Sequence, residues 1–315
     1  MRNETADRLK GLCIALMVVG HCLIPDAVHD AIYLFHMPVF FFVAGYFFKP
    51  GPALQRLRTD SRRLLVPYGI AVALVCLRYG VDVLRGVDAD VLLRFAVSAV
   101  LVGPGLDFAS WKGLDVGPVW FLASLFWSRT LFNLLVRMRY GVPVAATLGI
   151  AASVAGPVLL CLPFGISQGI AGLFFFAAGH EASRREVLAK GWVLPVSCAG
   201  AIPAIFIPSM DMHPDVYPCL ALNLLVSLFA VMLLWKLFSY AEKSRFFVLA
   251  FLSSLGRLSL LVLVIHYFEA MTFYWNDRFA FLPVAGLVML RLCIDIAVAF
   301  ALSRIPPVRQ LFGIK

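Results

Sequence analysis

The sequence predicts an all-α integral membrane protein, one bundle of about ten transmembrane helices spanning residues 1–315 with both termini cytoplasmic, and three observations predict it. Of its 315 residues 62% are hydrophobic and only 14% charged, where a soluble domain carries about 25% charged residues; no soluble fold hides that much apolar surface. The apolar runs recur from Leu9 to Leu302 with short breaks, leaving no polar stretch of about 50 residues for a separate soluble domain. The basic residues gather in alternate breaks, as topogenic charge does.

Taken in order, apolar runs of about 20 residues, enough at 1.5 Å per residue to cross the hydrocarbon, lie at 9–25, 31–48, 64–84, 118–136, 142–162, 166–182, 191–209, 217–238, 247–268 and 281–302. The first follows Arg2, Arg8 and Lys10 in the manner of a signal peptide. Residues 27–31 lack a clean small-x-small cleavage pattern, so it reads as an uncleaved helix. An eleventh run at 91–102 is decided by charge. If it does not span, one side collects Arg2, Arg8 and Lys10, then Lys49, Arg56, Arg58, Arg62 and Arg63, then Arg137 and Arg139, then Arg184, Arg185 and Lys190. Lys236, Lys243 and Arg245, and finally Arg304, Arg309 and Lys315, continue the series. Lys and Arg mark the cytoplasmic side, which fixes the termini. Residues 91–117 then form an outer loop with an interfacial or re-entrant segment, part of one long outer connection in which Arg78, Arg85, Arg94 and Lys112 mix with Asp82, Asp88, Asp90, Asp107 and Asp115.

The net charge of +9 does not indicate nucleic acid, because the bases sit in short interhelical loops rather than on a soluble face; the lipid bilayer is the expected partner. Seven cysteines stand singly inside apolar runs, without CxxC spacing, so neither a metal nor a redox site is predicted. The chain has no Walker A, GxGxxG, GxSxG or HExxH motif, which removes support for ATP-driven and metalloprotease chemistry.

Ionisable groups inside a span are costly and mark function by default. His21, in VVGHCLIP, falls near the outer end of the first run, eleven residues or about 16 Å beyond Lys10. His36 opens the second run about ten residues later and returns to the same depth. His266 reaches that level in LVLVIHYFEA, with Glu269 one turn on and on the same helical face. Histidine takes and returns a proton near neutral pH, and a neighbouring carboxylate or imidazole orients it. His29, His180 and His213, at helix ends or in loops, read as structural. Arg58, Arg62 and Arg63, with Arg56, cluster before the third run more densely than topology requires; guanidinium forks suit phosphates. Trp120 sits near an outer interface, where indoles also serve as belt residues. On composition and topology alone, a proton-coupled transporter or exporter of a sugar-like solute fits as well as a transferase.

The stretches DRLKGLCIALMVVGH, FHMPVFFFVAGYFF, RRLLVPY, GPVWFLASLFW and LGRLSLLVLVIHY, in this order, resemble the acyltransferase type 3 family of membrane O-acyltransferases, within it the fucose 4-O-acetylase-like branch, over the whole chain. The resemblance implies ten helices in a cell inner membrane and an acyl-CoA donor, commonly acetyl-CoA, with no permanently bound cofactor. It implies transfer of an acetyl or other short acyl group to a hydroxyl of a cell-surface glycan or lipid-linked sugar precursor. His21 corresponds to the family's catalytic histidine. Lys10, Arg58, Arg62 and Arg63 correspond by position to basic residues of donor binding or structure, while His36, Trp120, His266 and Glu269 stand as acceptor-side or supporting residues. The family's Arg-x-x-Arg pattern is replaced here by Arg58-x-x-x-Arg62-Arg63. Glu269 and Asp26 are candidates to orient the His21 imidazole, but an ordinary surface carboxylate is the favoured reading of each.

Overall fold

The computed structural model describes residues 3–101, 107–108, 111–112, 116–159, 162–241 and 246–314. Arg2, Asp115, Cys161, Lys243, Arg245 and Lys315 lie outside the described residues. The described chain is all-helical apart from one antiparallel pair, Asp107–Phe108 with Trp111–Lys112, between residues 101 and 116. In order the helices are α1 (Glu4–Gly20), α2 (Asp26–Tyr33), α3 (His36–Tyr46), α4 (Ala53–Asp60), α5 (Val66–Leu84), α6 (Asp90–Leu101), α7 (Trp120–Leu135), α8 (Gly141–Leu159) and α9 (Ile166–Ala171). They continue as α10 (Leu173–Arg184), α11 (Val193–Ala201), α12 (Leu220–Tyr240), α13 (Phe247–Arg257), α14 (Ser259–Thr272), α15 (Trp275–Arg278), α16 (Val284–Leu302) and α17 (Pro306–Leu311).

Among the described residues four segments are long and apolar enough to cross a membrane: Asp26–Tyr46, Ala53–Leu84, α12 and α16. The pair α13 and α14, bent by 74°, makes a fifth. Other runs that read as single spans are broken or shorter. The run at 166–182 divides into α9 and α10 at Gly172, and the run at 247–268 turns at Leu258. Hydropathy averages over such bends because the residues on both sides of them are mostly apolar. The α4–α5 segment is continuous through a π-helical turn, Ser61–Leu65, that carries Arg62 and Arg63; extra-residue turns of this kind are frequent at functional sites.

Helix α1 is the central element. Its first turn is capped by the Asn3 side chain, which accepts the Ala6 N–H at 2.8 Å, and carries Glu4 and Asp7, the favoured sign at a helix N-terminus. It packs against α3, α12, α13, α14 and α16, so its buried residues fall on all sides rather than along one stripe. The closest crossing is with α13. A Cβ added at Gly256 would overlap the Asp7 carbonyl, and one at Gly11 the Leu252 carbonyl, so two backbones touch where both helices have only hydrogen. Gly45 of α3 and Gly179 of α10 make the same kind of contact, each facing a carbonyl of the other helix. Small residues that let backbones approach are how helices associate where lipid removes the hydrophobic drive.

The connection from α11 to α12 folds inward. Asp211 and Val216 exchange two backbone hydrogen bonds of 2.9 Å, and Asn223 ties the segment down through the Pro208 carbonyl and the Cys219 N–H. Met210 and Met212 are thereby buried, and so is the Asp215 carboxyl, whose Oδ1 meets no hydrogen-bond partner. Burial, with the Asp211 charge beside it, pushes Asp215 up to about 7. The folded chain therefore holds this proton between about pH 4 and pH 7 after the unfolded chain has lost it, and stability from this group falls as pH rises through that window. Melting temperature in detergent should drop between about pH 4 and pH 7, and Asp215→Asn should shrink the drop by stabilising the protein at the higher pH.

Candidate active site

One cavity of about 720 Å³ follows α1 from Asn3 to His21, about 27 Å of helix axis at 1.5 Å per residue. Its two ends have different chemistry because two different sets of elements close it.

The end near Asn3 is basic. Lys10, Arg56, Arg63, Arg129 and Arg257 line it. Most are held: Lys10 Nζ lies 2.7 Å from Asp7, Arg129 Nε 2.9 Å from the buried Asp60, and Arg257 donates to the Ser254 hydroxyl at 2.6 Å. Arg56 lies over the Phe48 ring at 4.7 Å and donates to the Lys49 carbonyl. Among the described residues Arg63 has no carboxylate partner. Arg58 and Arg62 are exposed and do not line the cavity. Of the basic residues singled out in the sequence, the cavity thus gathers Lys10, Arg56 and Arg63.

The other end holds His21, Tyr33, His36, Trp120 and His213. His21 caps the C-terminus of α1, and its Nδ1 donates to the Met17 carbonyl at 2.7 Å. A carbonyl only accepts, so the proton sits on Nδ1 and Nε2 keeps its lone pair. His36 repeats the device, Nδ1 to the Ile32 carbonyl at 2.9 Å, with its ring 4.9 Å from that of Tyr33. Trp120 stacks on His213, ring centroids 5.3 Å apart and 16° from parallel, which brings onto the wall a histidine that its sequence position marks as merely structural.

Behind His21, off the cavity wall, His266 presents its ring edge with centroids 5.3 Å apart. His266 Nδ1 lies 2.8 Å from Glu269 Oε1 and 2.9 Å from Asp295 Oδ2. Arg291 reaches the same Glu269 oxygen at 2.7 Å, and the Trp275 indole N–H takes the other. One donor atom each from His266, Glu269 and Asp295 falls within 4.8 Å of the others, the spacing of a cation site. The Glu269 oxygen that would serve a cation, however, already accepts from the Arg291 guanidinium. Glu269 is therefore not a surface carboxylate but a buried one, engaged by His266 and Arg291 rather than by His21, whereas Asp26 is exposed at the start of α2. The Met17 carbonyl orients His21 instead: it accepts the His21 backbone N–H at 3.2 Å and has a second lone pair for the ring of the same residue. Sequence reasoning passed over Arg129, Arg257, Arg291 and Asp295. Arg291 and Asp295 are an i, i+4 charged pair inside the apolar run 281–302, the same anomaly that singled out His21.

A family model described as an acyltransferase domain, acyltransferase 3, matches residues 3–303. The chain belongs to the acyltransferase 3 family. No curated protein and no solved structure matches it significantly. In a membrane acyltransferase of this family the cavity offers His21 as a candidate base, a route from one end of α1 to the other, and cations at the end far from that imidazole. Acyl transfer to a hydroxyl needs a base to take the hydroxyl proton as the new ester bond forms.

Proposed function

We propose that this acyltransferase moves an acetyl or other short acyl group from acyl-CoA to a hydroxyl of a cell-surface glycan or its lipid-linked precursor, acting as a fucose 4-O-acetylase-like enzyme of the cell inner membrane. The observation that carries the reading is the single cavity joining the cations at Lys10 and Arg63 to His21. Coenzyme A docks its phosphates on the basic mouth from the cytoplasm, where the positive-inside rule puts those residues. The thioester reaches along α1 to His21, and the acceptor hydroxyl arrives from the opposite end, between His36 and Trp120. Both termini are cytoplasmic in this arrangement, with about ten crossings counting broken and short helices. The transporter reading gains nothing from the family match.

In membranes given labelled acetyl-CoA and a cell-envelope glycan extract, label should pass to glycan with stoichiometric release of thiol. Solute movement without acyl-CoA, and no thiol release with it, would instead favour transport. The basic mouth makes a finer expectation. Losing a charge-assisted bond to phosphate weakens binding about tenfold or more, so Arg63→Ala should raise the acetyl-CoA KM by that factor with kcat little changed. Arg58→Ala and Arg62→Ala, off the cavity, should stay within about twofold of wild type, as exposed charges do.

A further inference from the structure

We propose that Arg291 is a positioning residue for His21, acting through a buried ion-pair cluster on α14 and α16 that braces both the backbone and the ring of that histidine; the inference rests on the transferase reading above. Helix α1 stops at Gly20, so its last carbonyls have no partner within the helix. Arg291 Nη1 donates to the His21 carbonyl at 3.2 Å and lies 3.5 Å from Cys22 Sγ, a cation at the helix end where the macrodipole favours one. The guanidinium is itself immobilised. Its Nη2 and Nε reach Glu269 Oε1 at 2.7 and 3.2 Å, while the Trp275 indole N–H holds Glu269 Oε2. From that same carboxylate oxygen the chain of contacts passes to His266 Nδ1 and on to Asp295, one turn from Arg291 on α16.

His21 is therefore gripped twice by one cluster, at its carbonyl by Arg291 and at its ring by the edge of His266. His266, Glu269, Arg291 and Asp295 are all buried, and none of them lines the cavity. Substrate does not touch them, so their effect on the reaction passes through His21. Only a fork serves here: Nε and Nη2 face the carboxylate while Nη1 faces α1, and a lysine reaches one partner or the other.

The test compares wild type, Arg291→Met and Arg291→Lys in membranes with matched expression. A misplacement of about 1 Å at a reacting group costs about 100-fold in rate, and the basic mouth lies at the opposite end of the cavity. Arg291→Met should therefore lose about 100-fold in kcat while the acetyl-CoA KM changes less than about twofold. Arg291→Lys, which keeps the charge and the fold, should recover part of kcat without reaching wild type. A second readout needs no turnover: diethyl pyrocarbonate labelling of each histidine, scored by mass spectrometry. Wild type should label at His21, which is accessible, and be protected at His266, which is fully buried; Arg291→Met and Arg291→Lys should label at His266 with His36 unchanged. A folded Arg291→Met with wild-type kcat, or either variant with the wild-type labelling pattern, overturns the proposal. If wild-type membranes transfer no acetyl group, the transferase reading fails, and the labelling pattern still decides whether Arg291 braces His21.

Discussion

Membranes carrying His21→Ala are expected to lose acyl transfer by at least about 100-fold in kcat, the lower bound for removing a positioned general base, with the protein still folded. His21 stands at the end of α1 with its ring open to the cavity. Truncation costs the bond to Met17, about 1 kcal/mol, and leaves no packed core void. The size of the loss then reports the chemistry. As general base, His21 Nε2 takes the acceptor hydroxyl proton while that oxygen attacks the thioester carbonyl, and the thiolate leaves to be protonated; water in the cavity replaces such a base poorly but measurably. As nucleophile, Nε2 itself displaces the thiol, forming an acyl-imidazole that the acceptor hydroxyl then opens, and its removal leaves no route through the covalent intermediate. Mixing wild type with labelled acetyl-CoA without acceptor separates the two. A stoichiometric burst of thiol with label on His21 identifies the covalent route, and absence of a burst identifies direct attack. Transfer in His21→Ala equal to that of wild type at matched expression removes His21 from the mechanism altogether.

That His21, His36 and His266 share one level was legible in the sequence because imidazoles stand out in apolar runs, and helix rise alone converts their positions into depth. The rings of His21 and His266 do meet, 5.3 Å apart, and His21 and His36 line one cavity. Glu269 was placed on the face of His266 by spacing, and lies 2.8 Å from it. What spacing does not carry is which neighbour each group turns to. Glu269 turns to Arg291 and His266 rather than to His21 because a buried carboxylate must find a cation and donors, and the cation, Arg291, comes from α16, more than twenty residues downstream. Arg129 and Arg257 likewise join the basic mouth only through packing, from α7 and from the end of α13. The bend at Leu258 that turns α13 against α14 is only weakly punctuated in the sequence, by Gly256 before it and Ser259 after it, inside a run otherwise apolar enough to read as one helix. There the tertiary contact of α13 with α1, not local propensity, sets the geometry.

That same contact makes the second large expectation: Gly256→Val should give little or no folded protein, and Gly256→Ala a folded protein with lowered melting temperature and a raised acetyl-CoA KM. At most core positions an added methyl displaces a side chain, which can change rotamer. At Gly256 it meets the Asp7 carbonyl and comes within 2.9 Å of the Gly11 backbone N, while a methyl at Gly11 meets the Leu252 carbonyl. Backbone cannot rotate away, so α1 and α13 must separate, and overpacking of this kind costs about 1–3 kcal/mol for one methyl and more for a branched side chain. Separation also acts on the site, because Asp7 and Lys10 on α1 face Gly256 and Arg257 on α13 across the basic mouth. The comparison that isolates the effect is Gly69→Ala on α5, where an added Cβ meets nothing within 4 Å; it should match or slightly exceed wild type, since alanine is the better helix former by about 1 kcal/mol. Folded yield by size exclusion in detergent, followed by melting and donor KM, reads all three variants. If Gly256→Val accumulates and melts like Gly69→Ala, the backbone crossing of α1 and α13 is not what holds the mouth of the cavity at its width, and the side chains of Lys10, Arg63 and Arg257 must define it unaided.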